Sequence, residues 1–380
     1  MIRVGVSATS LNTPHLRGMG KYLLEMCSQA RPEDGVAWTL FAQDARQRMH
    51  LPRHQQVVTD VFDHPGDRFA LWEQVGLPRR IRRHGLDVLH WAENTMAWWQ
   101  PCPAVVTIHD TLPWEMETTD RWQHWYWHTL MPAAFRRSAA VITISESSKR
   151  DILARWPALE PKLTVIPHGI EAAYFEPPQC ALPAALSHAL GGARYAVYLG
   201  GPMKRKRFDW AVQTLAAQPD PTLMLVACGF GADAREAARN ALPHGLQGRV
   251  LFAEFLSDAE LLALYRGAVA VLYPTLYEGF GFPAIEAQAA GTPVIFSPLG
   301  SLAELVGPLA TLAPADDLAA WAAALHGAAT LPLNARAEKA SEARSWAQGF
   351  SWQQSWQKHQ AVYLQVAQVS MSPRQPAAAR

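Results

Sequence analysis

Cysteine is scarce, with four in 380 residues, and Cys27, Cys102, Cys180 and Cys228 form no C-x-x-C pair. That spacing supports neither a disulfide framework nor a zinc knuckle and fits a reducing cytoplasm. Charge of one sign is also lacking: 34 Lys and Arg face 33 Asp and Glu, a formal net charge of +1. A general nucleic-acid binder, which rests on a basic excess, is excluded. No apolar run reaches the ~20 residues that span a bilayer. The opening "MIRVGVSATS" has no signal-peptide core or cleavage site and reads as a buried strand. A Walker A loop is absent. "HLRGMGKYLLEM" offers Gly18 and Gly20, but Leu23 stands where a dinucleotide fingerprint wants a third glycine.

What is present points to an α/β chain. At 380 residues it exceeds the ~250–300 at which single cores stop growing, so two domains are expected. Short Val- and Ile-rich runs alternate with helical patterns, the sign of parallel sheets buried on both faces. Strands are expected at "IRVGVSA", "AWTLFA", "DVLHWA", "AVVTIHD", "AVITIS" and "LTVIP", then at "YAVYLG", "LMLVACG", "RVLFAEF", "VAVLYPT" and "PVIFSP", with only helices after the last. Ser145 and either Ser257 or Asp258 suit N-caps. The proline- and glycine-bearing "EPPQCALPAALSHALGGA" reads as a linker. The expected division is a first Rossmann-like domain over 1–175, a linker over 176–193, a second Rossmann-like domain over 194–348, a helix over 349–370 and a disordered tail over 371–380.

Two doubly wound domains in series are expected to face a cleft at the carboxyl ends of their strands, where such sheets bind ligands. "YLGGPMKRKRF" runs from a strand into Gly200, Gly201, Lys204, Arg205, Lys206 and Arg207. Four cations past a strand end suit a pyrophosphate, although a solvated basic turn has the same composition. In "YEGFGFPAIEA", Gly279 and Gly281 permit close backbone approach around Phe280 and Phe282, and Pro283 suits the first helical position. The unpaired amides of that first turn would bind an anion. Glu278 and Glu286 would then accept hydrogen bonds from sugar hydroxyls, with a dipole-stabilising role in the first turn as the plain alternative for Glu286. Leu256, in "EFLSDAEL", would edge a nucleobase. "TIHDTLP" places His109 at a strand end, where a structural role competes with a catalytic one. His124 and His128 have helical i, i+4 spacing but lack the Glu of H-E-x-x-H, and read as an aromatic helix face. Arg79, Arg80, Arg82 and Arg83 form either a solvated helix end or, beside a tryptophan-rich stretch, a contact for an anionic membrane.

The carboxylate segment "YEGFGFPAIEAQAAGTPVIFSPLGSLAELVG" resembles the donor site of retaining glycosyltransferases of the GT-B fold, family four, with a Glu, seven residues and a second Glu. "RGMGKY", "TIHDTLP", "VIPHGI", "YLGGPMKRKRF" and "FSWQQSW" resemble further landmarks of that family in the same order. The resemblance implies that Glu278 holds the donor sugar and Glu286 the ribose, that Arg205 and Lys206 bind the diphosphate, that His109 lies at the reacting sugar, and that Gly18 and Gly20 approach phosphate or acceptor. It makes the first domain the acceptor domain and the second the donor domain. It also implies that the helix after Trp352 crosses back to the first domain as part of a hinge. Gly201 departs from the family, where many members carry an arginine.

The implied activity is hexosyl transfer with retention from a nucleotide-diphosphate sugar to a saccharide or lipid-linked acceptor, as in bacterial surface polysaccharide synthesis, with a lean to GDP-mannose. No cofactor is expected, since the nucleotide sugar is a substrate; no metal is expected either, as Asp-x-Asp is missing. A glycoside hydrolase would share the carboxylates but have no use for a diphosphate site. A GT-B epimerase or phosphorylase and a non-catalytic nucleotide-sugar binder are the remaining alternatives.

Overall fold

The computed structural model describes residues 1–13, 16, 18–43, 57–62, 64, 68–116, 118–177 and 179–371. The tail expected over 371–380 lies, beyond Met371, outside the described residues. Two compact units divide the chain: residues 1–169 with 351–380, and residues 170–350.

In the first unit seven strands form one parallel sheet: β1 (Ile2–Ser7), β2 (Val36–Ala42), β3 (Val57–Val61), β4 (Val88–Trp91), β5 (Ala104–Thr107), β6 (Ala140–Thr143) and β7 (Leu163–Val165). Their order is β3-β2-β1-β4-β5-β6-β7. The second unit has six, β8 (Tyr195–Leu199), β9 (Met224–Cys228), β10 (Val250–Phe252), β11 (Val271–Tyr273), β12 (Val294–Phe296) and β13 (Ala310–Leu312), in the order β10-β9-β8-β11-β12-β13. Both are doubly wound α/β sheets. The direction of strand addition reverses between β1 and β4 and again between β8 and β11, and such switch points open a crevice at the carboxyl ends of the two strands. The central strands are buried along their whole length because helices cover both faces: β4 and β5 are buried at every position.

Three expectations are corrected. β3 and β13 were not anticipated; each is an edge strand of which half or more is polar or exposed, with Val58 and Leu312 59% and 44% exposed, so no buried apolar run announces it. Residues 176–193 are not a free linker: they belong to the second unit and include a helix, Ala184–Leu190, that buries Leu186 and Leu190 and ends on left-handed Gly191. Arg80 does not end in solvent, because its guanidinium takes both oxygens of Asp60 at 2.8 and 2.9 Å while His84 Nε2 lies 2.7 Å from the same carboxylate.

The last helix, Trp352–Met371, belongs to the first unit. Trp356 Nε1 donates to Asp34 Oδ2 at 2.7 Å and Gln360 Nε2 to Asp34 O at 2.8 Å. Deeper in, Nδ1 of His359 donates to Ser355 O, so its Nε2 accepts the Tyr22 hydroxyl at 2.8 Å. Tyr363 OH lies 2.8 Å from His90 Nδ1, and His90 Nε2 lies 2.7 Å from Thr107 Oγ1. His90, His109, His168 and His359 are all buried. Burial, the largest cause in each, drives His109 and His359 down to about 4 and His90 and His168 well below the usual imidazole range. All four are therefore neutral at pH 7.

Because these folded-state values lie below 6.5, the unfolded chain takes up protons first as the pH falls, and stability is lost from about 6.5 downward. Each of His109 and His359 then removes about 2 kcal/mol by pH 5. Urea midpoints of the first unit's transition are expected to fall between pH 7.5 and 5, and less so in His359→Gln.

Candidate functional site

The switch point of the second sheet gathers the charged groups. β8 leads through Gly200 and Gly201 to the single turn Lys204–Lys206, and β11 leads through residues 274–281 to the helix Phe282–Ala289. The two loops are joined by the Leu276 amide, which donates to Arg205 O at 2.9 Å.

Glu278 sits at their junction. Its Oε1 accepts from Arg205 Nη1 at 3.1 Å, from Thr275 Oγ1 at 2.8 Å and from Lys206 Nζ. Arg205 Nη1 also donates to Tyr277 O at 2.7 Å. Lys206 Nζ is 3.1 Å from the Tyr273 hydroxyl and lies over the Tyr273 ring. Only 11% of either the Lys206 or the Glu278 side chain is exposed. Burial pulls the Lys206 ammonium below its usual range, and Glu278 opposes that shift. Ser301 Oγ, 2.8 Å from Glu278 O and 2.7 Å from Phe280 O, pins the loop from the next strand end. Gly281 caps the helix with φ 101, and Pro283 is its second residue, not its first as the sequence suggested.

The departure at Gly201 has a steric cause. Its φ is 61, and a Cβ there would lie 2.4 Å from Gly229 O, so an arginine side chain has no room to leave this backbone. Glu286 also differs from expectation. It is the fifth residue of its helix, beyond the first turn, and is buried with Tyr265 OH donating to Oε2 at 3.0 Å. Leu256 is half-buried just before the helix Asp258–Gly267, whose N-cap is Ser257 in a capping box with Glu260. Phe280 is buried and packs edge-on to Phe282 at 5.1 Å.

The remaining expected residues belong to the first unit. His109 follows β5; its amide donates to Asn94 Oδ1 at 2.5 Å and its Nε2 to Ala92 O at 2.9 Å, which leaves Nδ1 as an acceptor. Gly18 and Gly20 open the helix Gly18–Gln29, and a Cβ on Gly20 would lie 2.7 Å from Ser10 O. Close packing alone demands that glycine. The structure thus brings together Arg205, Lys206 and Glu278 beside Gly200 and Gly201, while Glu286 accepts from Tyr265. Tyr273, Thr275 and Ser301, which hold the junction, carried no signal in the sequence. His124 and His128 stack at 4.3 Å on an exposed face. Among the described residues no group of three or more His, Cys, Asp or Glu could hold a metal.

Residues 16–174 match the description Glycosyltransferase Family 4, and residues 188–346 match Glycosyl transferases group 1. The chain is a GT-B-fold glycosyltransferase. This glycosyltransferase is 28% identical over 284 residues to the MMP alpha-(1->4)-mannosyltransferase of Mycolicibacterium hassiacum, a match covering 69% of the chain and 65% of that relative, just under two thirds of its length. It is 29% identical to the O-antigen chain mannosyltransferase B of Escherichia coli over 66% of the chain and 67% of that protein. Its fold is similar to that of sucrose-phosphate synthase from Thermosynechococcus elongatus, with TM-score 0.74, 20% identity, and coverage of 97% of this chain and 100% of the other.

Removing one partner of a buried ion pair leaves the other charge uncompensated, at a cost of roughly 3 kcal/mol. In the glycosyltransferase, Glu278→Gln and Lys206→Met are each expected to lower the second unit's stability in urea. The double variant is expected to recover part of the loss, with a coupling of at least about 1 kcal/mol.

Proposed function

We propose that the enzyme transfers a hexosyl group, with mannose from GDP-mannose as the first donor to try, to a saccharide or lipid-linked saccharide with retention of anomeric configuration. The observation that carries this reading is the pair Arg205 and Lys206, held ready at the second switch point by Glu278. A diphosphate would draw the two cations from the carboxylate, and Glu278 would then accept the donor sugar's hydroxyls. As the bond from the anomeric carbon to the diphosphate oxygen breaks, charge grows on that oxygen beside two fixed cations and the amides at the helix mouth. The acceptor oxygen bonds to the anomeric carbon on the same face, and its proton passes to the departing phosphate. No protein nucleophile is needed. His109, neutral, would serve as a hydrogen-bonding group rather than a cation. Glu286 we keep as the ribose ligand, a role that requires its carboxylate to exchange Tyr265 for the ribose hydroxyls.

The mannosyl donor is supported by the names of the two relatives, and the polysaccharide setting by the second of them. The test is a panel of GDP-, UDP-, ADP- and dTDP-sugars scored by thermal shift and by slow donor hydrolysis. One nucleotide class is expected to stabilise the protein. Lys206→Ala and Glu278→Gln, each confirmed to unfold cooperatively, are expected to lose about 10²–10³ in turnover. Full activity in both would reject the site, and product formed without any acceptor alcohol would favour the epimerase or phosphorylase alternative.

No helix among the described residues is long and apolar enough to cross a membrane. We propose that the enzyme works in the cytoplasm at the inner face of the cell membrane. Arg82 lies over the exposed Trp99 at 5.6 Å and Arg137 over the exposed Trp98 at 4.8 Å, with Arg79 and Arg83 also exposed. Arg80, spent on Asp60, is left out of that contact. Co-sedimentation with anionic vesicles at low salt is expected, weakened in Arg82→Ala/Trp99→Ala; equal binding to neutral vesicles would refute it.

A further inference from the structure

His109 is gripped twice by the loop that follows β4. Ala92 O accepts its ring Nε2–H at 2.9 Å, and Asn94 Oδ1 accepts its amide at 2.5 Å. The first contact sets the tautomer and leaves Nδ1 as an acceptor; the second fixes the backbone from which the ring projects. From the other side, Ser148 Oγ donates to His109 O at 2.9 Å, and the Ser148 amide donates in turn to the Ser145 cap at 3.0 Å. Tyr22 meets the ring edge-on, with centroids 5.1 Å apart.

Asn94 holds its end of this arrangement from a left-handed backbone. Its φ is 63, and among the described residues only Arg207 shares that region without being glycine. Asparagine and aspartate are the side-chain-bearing residues that enter it most readily. The Asn94 amide donates to Thr107 O at 3.1 Å while Oδ1 accepts from His109, so its two polar groups bracket Ile108. A residue in a parallel strand does the same with its N–H and its main-chain carbonyl. Here the side-chain amide stands in for that carbonyl. Trp91 faces Val106, whereas Asn94 brackets Ile108, so the β4 side carries one extra residue, as a bulge does. Pairing with β5 thereby reaches past the ends of both strands to His109. Glycine would supply the φ without the acceptor, and a β-branched or bulky residue would supply neither. Ala92, Asn94 and His109 are all buried, so a lost acceptor is costly to replace.

We propose that Asn94 is a positioning residue for the transfer reaction, and that it aims the His109 ring through Oδ1 and not through its backbone angle alone. The inference rests on the reading that His109 hydrogen-bonds the reacting sugar. Misplacing such a group by about 1 Å can cost ~10² in rate.

The test compares Asn94→Gly, which keeps the φ and removes the acceptor, with Asn94→Asp, which tolerates the φ and keeps an acceptor. Each is made in the full chain and in His109→Ala, and turnover is read as GDP release from GDP-mannose. Asn94→Gly is expected to lower kcat about tenfold or more while KM for the donor stays within about twofold, and Asn94→Asp to recover most of the loss. In His109→Ala the same glycine substitution is expected to cost no more than about twofold, because the group it aims is gone. With isotope-labelled histidine, the His109 amide is expected to exchange with deuterium at least about tenfold faster in Asn94→Gly than in the unmodified chain. An equal loss of kcat in both backgrounds would make Asn94 merely structural and overturn the proposal, as would full kcat or unchanged amide exchange in Asn94→Gly. His109→Ala alone separates the failures: full turnover there removes the role of His109 and the positioning role with it, whereas impaired turnover there beside a fully active Asn94→Gly removes only the second. If the unmodified chain releases no GDP, the donor reading falls, and amide exchange decides whether Asn94 holds His109.

Discussion

The second unit is organised around one carboxylate oxygen that accepts from an arginine, a lysine and a threonine at once. Holding two cations within reach of each other is unfavourable unless an anion lies between them, and removing a lysine from water is costly unless its charge is matched. Glu278 satisfies both conditions. It also fixes the loop in which it sits, because its own carbonyl oxygen and that of Phe280 are held by Ser301 from the neighbouring strand end. The junction is thus ordered by hydrogen bonds that the chain itself supplies.

Where the last helix meets the first unit's sheet the opposite condition holds, and the buried imidazoles are uncharged. Four imidazoles are buried where the last helix meets the first helix and the central strands, and two of them make their hydrogen bonds to tyrosine hydroxyls that burial keeps protonated. A neutral network of this kind locks the final helix to the sheet through hydrogen bonds. Its weakness is acid, since each imidazole that takes a proton must lose either a partner or its burial.

The sequence and structure agree where pattern reflects burial. The central strands, the Ser145 cap and the doubly wound class were legible because helices on both faces impose apolar runs and because capping residues are few, whereas the choice between Ser257 and Asp258 fell to the structure, which makes Ser257 the cap. β13 and β3 were not legible, since half or more of each is polar or exposed, which broke the apolar run by which the other two edge strands, β7 and β10, were read. At the site, Lys206, Arg205 and Glu278 could be read from charge placed at strand ends. Their organisation could not, because Tyr273 and Thr275 look like ordinary strand-end residues and act only through distance. Glu286 shows the limit of spacing: eight positions after Glu278 bring it past the helix mouth to Tyr265, a partner that no periodicity identifies. Gly201 shows the reverse, a departure from the family pattern whose reason is the carbonyl of Gly229, a residue 28 positions away on the next strand's loop.

Two sheets of the same winding therefore reach different chemistry at the same topological position. Each reverses its strand order once, and each leaves at that reversal a crevice lined by loops that no strand neighbour fills. Backbone topology fixes where a ligand can enter, whereas the few side chains on those loops fix what charge it must carry. In the second unit the loop after β8 supplies cations that a single acid holds in readiness, which suits an anion. In the first, the loops after β1 and β4 place Thr9, Glu93 and Thr95 beside Trp72 and Trp127. The two crevices therefore differ in the groups they present, without any difference in the winding of the sheets.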